Sequence, residues 1–101
     1  MERRDTMNSD YASRQPMQAP GVSAQVLEGE AVLLNVSTEE YYSLDEVGSR
    51  IWELLDGRRT VAEIVAAITT EYAADEAEVA SDVRDLLDEL AGEGLVTWRA
   101  D

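Results

Sequence analysis

The chain has 101 residues, with no cysteine, no histidine, and 22 acidic residues against 8 basic ones for a net charge of −14. That length admits one domain, the missing cysteines exclude disulfides and thiolate metal sites, and the missing histidine removes the commonest general base and metal ligand. A field this negative repels phosphate backbones and anionic headgroups, so nucleic acid and membrane are excluded as partners, whereas a basic partner would be attracted.

Along the chain, Met1–Pro20 is polar, aperiodic and poor in apolar material. It cannot bury enough surface to offset the cost of ordering, so residues 1–21 are expected to form a disordered tail and residues 22–101 the folded domain. Tyr11 and Pro16 are the tail residues able to dock on the domain, and a solvated tail is expected instead. Met1–Asp10 has no apolar stretch of signal-peptide type, and no apolar run approaches the roughly 20 residues that span a bilayer, so a cytoplasmic location is expected.

Three extended segments follow. Val22–Leu27 reads as a strand, the turn-like Glu28-Gly29-Glu30 closes a hairpin, and Ala31–Val36 is the second strand. Glu40–Leu44 (EYYSL) is the third, rich in the aromatic residues that strands favour. Alternation puts Tyr42 and Leu44 on one face and Tyr41 and Ser43 on the other. Leu44 leads into the helices, so Tyr42 is expected inward and Tyr41 outward.

Three helical segments complete the chain. The first is expected over Glu46–Asp56, with Asp45 as N-cap, Val47, Ile51, Trp52, Leu54 and Leu55 as its apolar stripe, and Gly57 as its stop. Thr60-Val61-Ala62-Glu63 is a capping box that opens the second, whose stripe is Val61, Ile64, Val65, Ile68 and Tyr72. The third opens near Asp75 and carries Val79, Val83, Leu86, Leu87 and Leu90 at helical spacing, with Gly92 and Gly94 as its stop. Leu95–Trp98 is a short extended end.

No residue is placed for catalysis. The carboxylates of Asp82, Asp85 and Glu89 lie on an amphipathic helix, where carboxylates are ordinarily solvated surface, and they need a cleft or a raised pKa to act as acids. No serine has a histidine partner, Asp75-Glu76-Ala77-Glu78 lacks the glycine of a calcium loop, and Gly92-Glu93-Gly94 ends a helix where a phosphate loop would open one. No enzyme activity, cofactor or metal is expected. A helix-turn-helix reader of DNA would need a basic last helix, and this one sets seven acidic residues against Arg84.

One feature points to binding. Three strands leave an open sheet edge, which templates pairing with another chain unless it is blunted. The strand Tyr41–Leu44 beside an amphipathic helix suits an extended peptide added to the sheet.

The runs GEAVLL at 29–34, YYSL at 41–44, VGSRIWELLDG at 47–57, TVAEI at 60–64 and LAGEGLV at 90–96 together resemble the PqqD family, over about Val22 to Trp98. One departure is Asp45, where many members carry Asn; it can still cap. The resemblance implies a winged-helix-like α+β fold, a three-stranded antiparallel sheet followed by three helices, that serves as a recognition element for ribosomally synthesised, post-translationally modified peptides. By this resemblance the leader of a precursor peptide, of the lasso type, adds to the third strand against the third helix. The chain then delivers it to a leader peptidase or other modifying enzyme. The implied site is Glu40, Tyr41, Tyr42, Ser43 and Leu44 on the strand with Val79, Asp82, Val83, Asp85, Leu86 and Leu87 on the helix. Asp82 and Asp85 are expected to meet basic leader residues, and Val83→Arg to weaken binding with little change in fold. The alternative reading is an acidic winged-helix adaptor or regulator that does not bind DNA.

Overall fold

The computed structural model describes residues 9–99, and the expectations for residues 1–8, 100 and 101 lie outside them. In chain order the elements are α1 (Ser9–Ala12), β1 (Pro16–Gln18), β2 (Val22–Leu27), β3 (Glu30–Asn35), β4 (Glu40–Leu44), α2 (Glu46–Glu53), α3 (Val61–Tyr72), α4 (Glu76–Gly92) and β5 (Val96–Trp98). β2, β3 and β4 form an antiparallel sheet in that order, and β1 pairs antiparallel with β5 in a separate ribbon.

Local chemistry explains most boundaries. Glu28 (φ 53°) and Gly29 (φ 83°) both take positive φ, as a two-residue primed turn requires, and they set Leu27 opposite Glu30. The Asp45, Thr60 and Asp75 side chains each accept from the third residue beyond, and Glu63 answers Thr60 to complete the capping box. Such a cap contributes about 1 kcal/mol. The helices pack on one face of the sheet: Ala31, Leu33 and Leu44 from the strands meet Ile51, Trp52, Val61, Ile64, Ile68, Val83, Leu87 and Leu90. Arg50 ties α2 to α3 by bonding Glu71 at 2.8 Å while holding Glu53 at 3.0 Å.

Three expectations are corrected. First, residues 9–21 are not a tail. Tyr11, Pro16 and Ala19 are buried, and the backbone is bonded on both sides of β1. The Arg14 carbonyl accepts from Val61, that of Pro16 from Gly57, and that of Gln15 from Arg99, while the Gln18 amide donates to Leu55. Composition could not show this, because the ladder is supplied by segments roughly 40 to 80 residues away in sequence. Tyr11 meets Trp98 edge-to-face at 5.6 Å, with Arg14 3.9 Å over the indole and Arg84 4.3 Å over the phenol ring. Cation–π contacts of this kind add to the apolar burial that anchors the segment. Second, the first predicted helix stops at Glu53 rather than Asp56. Leu54 and Leu55 are buried in the turn beyond it, where the Asp56 carboxylate accepts from the Arg58 and Arg59 amides and Gly57 (φ 78°) rests on Met17. Third, β3 begins and ends one residue earlier than expected, at Glu30 and Asn35.

Candidate functional site

The pairing of β3 with β4 decides which backbone groups are free. The turn at Glu28-Gly29 makes Leu27 and Glu30 a bonded pair, so the even-numbered residues of β3 turn their polar groups toward β2. The Val36 amide, bonded to the Gly21 carbonyl, continues that pattern. The odd-numbered residues of β3 therefore face β4. There Leu33 opposes Tyr42 and Asn35 opposes Glu40, and the buried Ser49 hydroxyl is inserted between Ala31 and Leu44. It accepts from the Ala31 amide at 2.7 Å and donates to the Leu44 carbonyl at 3.3 Å. By alternation the N–H and C=O of Tyr41 and Ser43 point to the outer edge of β4, which pairs with no strand among the described residues.

Beside that edge lies a cleft of about 390 Å³, within the range of ligand pockets. β4 contributes Tyr42, Ser43 and Leu44, the start of α2 contributes Val47, Gly48 and Ile51 with the cap Asp45, and α4 contributes Asp82 and Leu86. Val47, one turn before the buried Ile51 in the capped first turn of α2, is exposed and lines the cleft instead of joining the core. Its floor is apolar and its rim carries two carboxylates. The Tyr42 phenol reaches α4: its pKa is pushed up to about 12, first by desolvation, then by a hydrogen bond to Glu89 and the negative charges of Glu89 and Glu93. Tyr42 thus spans the space between strand and helix at one end of the cleft.

The expected site residues divide. Tyr42, Ser43, Leu44, Asp82 and Leu86 come together in the cleft. Glu40 and Tyr41 lie on the same strand, Tyr41 with its side chain on the outer face, and Asp85 is exposed on α4. Val83 and Leu87 are fully buried and Val79 nearly so, and none of the three lines the cleft. Asp45, Val47, Gly48 and Ile51 line it and were not singled out. Their signal was present in the cap and in the one residue of the first helical stripe, Val47, that begins a full turn before the rest. Among the described residues, no group of three or more acidic side chains could hold a metal ion, and no helix is long and apolar enough to cross a membrane.

Residues 30–96 match the family model described as coenzyme PQQ synthesis protein D (PqqD). A protein of Rhodopseudomonas palustris strain TIE-1 named PqqA binding protein is 39% identical over 62 residues, 61% of this chain and 61% of its own length. The chain thus aligns with less than two thirds of the curated relatives it matches. The solved structure of TbiB1 in complex with the TbiA(beta) leader peptide is 41% identical, with a TM-score of 0.75 over 84% of this chain and 99% of that one. A lasso peptide synthetase B1 complexed with its leader peptide shares the fold at 22% identity and a TM-score of 0.73 over 82% of this chain and 98% of that one. The PqqD part of Methylobacterium extorquens PqqCD, described as a stand-alone recognition element for ribosomally synthesised and modified peptides, is 30% identical with a TM-score of 0.68, over 81% of this chain and 87% of that one.

Proposed function

Since the chain belongs to the PqqD family, we propose that it binds the leader segment of a ribosomally synthesised precursor peptide and delivers it to a leader peptidase or other modifying enzyme. The observation that carries this reading is the open edge of β4 next to the cleft. An extended leader adds as a fourth strand, exchanging backbone bonds with Tyr41 and Ser43, while alternate side chains turn into the space lined by Leu44, Val47, Ile51 and Leu86. Asp45, Asp82 and the nearby Asp85 favour basic residues flanking the apolar anchor and speed the encounter. Val79, Val83 and Leu87 act one layer below, by holding α4 at its distance from the strand.

The leader is of the lasso type on this reading. The support is the sequence resemblance given above, together with the fold shared with a lasso peptide synthetase B1 that is complexed with the leader peptide, over 98% of that chain. The role is recognition rather than catalysis, and it is exercised in the cytoplasm, where a ribosomal product is first met. A titration of labelled leader, encoded beside this chain, followed by fluorescence polarisation tests it. Saturable sub-micromolar binding that a scrambled leader does not reproduce is expected; equal binding of the scrambled peptide, or none by the folded protein, overturns it.

A further inference from the structure

Among the described residues, nothing covers the face of the β2–β3–β4 sheet turned away from the helices. Leu27 is 61% exposed, Val36 56% and Tyr41 71%, with Val32 and Leu34 half-buried between them. Ser23, Gln25 and Ser43 fill the rest of that face, with Glu30 at its hairpin end opposite Leu27. The face is also nearly without charge. Between Gln15 and Leu44 the charged residues are Glu28, Glu30, Glu39 and Glu40, all in or beside the two hairpin turns, in a chain of 22 acidic and 8 basic residues. Strand β2 is the sheet's second open edge, and VSAQVL contains none of the lysines, prolines or inward charges that blunt such edges. Contiguous exposed apolar surface with a polar border marks a protein interaction site.

Two observations choose its occupant. A second copy would bring together two chains of net charge −14, which their own fields oppose. In addition, the face runs continuously into the β4 edge through Tyr41 and Ser43, whose backbone groups point to that edge while their side chains stand on this face. A leader strand added at β4 would place every second side chain on the same face and widen it. From this, and resting on the leader-binding reading above, we infer that the outer sheet face is the docking surface for the modifying enzyme, through an apolar, weakly charged patch of that enzyme that touches this chain and the bound leader together. Leader and enzyme then bind with positive coupling, each raising the affinity for the other by the same factor.

The test uses the full chain, its leader and the leader-processing enzyme encoded with it. Gln25 and Val36 are exposed and lie outside the cleft, so Gln25→Lys with Val36→Lys puts two charges on the face without touching the core. The variant is expected to bind leader as the native chain does, by polarisation, and to lose about ten-fold or more in enzyme affinity by biolayer interferometry, as charge buried in an interface core does. The native chain is expected to bind enzyme several-fold more tightly with leader present. Unchanged enzyme affinity in the variant, or no enzyme binding by the native chain, overturns the inference. So does a native dimer in sedimentation that the variant dissolves, which would give the face to a second copy. Loss of leader binding by the native chain sinks the leader reading instead, and leader-free enzyme affinities still score the face.

Discussion

Two stripes run side by side along α4, and they do different work. Val79, Val83, Leu87 and Leu90 are buried against α2, α3 and the sheet, so their contribution is to the fold. Asp82, Leu86 and Glu89 lie about a quarter-turn away and face the strand edge, where Leu86 is half-buried and Asp82 is exposed. A third stripe, Arg84 and Asp88, receives Tyr11. Helical rotation alone separates a residue that holds the molecule together from one that can meet a partner, because successive residues turn by about 100°.

Changes at the core stripe should unfold the domain and change binding only as a consequence. Val83→Arg places a charge where nothing is exposed, so the expectation that it would spare the fold is replaced. A circular dichroism melt is expected to show no cooperative transition at ordinary temperature. Leu87→Ala leaves a cavity and should cost about 2–5 kcal/mol in urea unfolding, while leader affinity at the folded end stays near native. Leu86→Arg inverts that pattern. The melt should stay within a few degrees of native, and leader affinity by polarisation should fall about ten-fold or more. If Leu86→Arg and Val83→Arg behave alike, the division of the helix is wrong. Asp82→Lys is a smaller perturbation of the same stripe, expected to weaken a basic leader a few-fold and to flatten the salt dependence of binding.

Alkaline titration sharpens the contrast from another side. Tyr11 is pushed up to about 12, chiefly by burial and then by Asp88, and Tyr42 is likewise raised to about 12. Both phenols hold their protons more tightly in the folded chain than in the unfolded one, where the ordinary value is 10.0. Their stabilising effect is intact below pH 10 and is lost as the pH rises through about 12. Denaturant midpoints measured across that window should fall, and less steeply in Tyr11→Phe and Tyr42→Phe. Tyr42→Phe should also alter leader binding, whereas Tyr11→Phe should not.

Much of this arrangement is legible in the sequence where the signal is local. The bounds of β2 and β4 and the caps Asp45, Thr60 and Asp75 follow from alternation, turn residues and short polar side chains. The outward Tyr41 and inward Tyr42 follow from the pleat. What escaped depends on partners distant in sequence. Residues 14–19 are ordered by backbone bonds to β5 and to the loop after α2, so their sparse apolar content says little. The end of α2 is set by the same intrusion of β1. On α4, five apolar positions form one broad stripe, and only the packing of α3 and β4 around it shows that Leu86 is the one left for the cleft.

The most direct test is amide hydrogen exchange on the isotopically labelled chain with and without leader. Among the described residues, Tyr41 and Ser43 carry the unpaired amides of the β4 edge, and Ala24 and Val26 those of the β2 edge. Leader is expected to slow exchange at Tyr41 and Ser43 and to leave Ala24 and Val26 unchanged. Protection appearing at Ala24 and Val26, with Tyr41 and Ser43 unaffected, would contradict it.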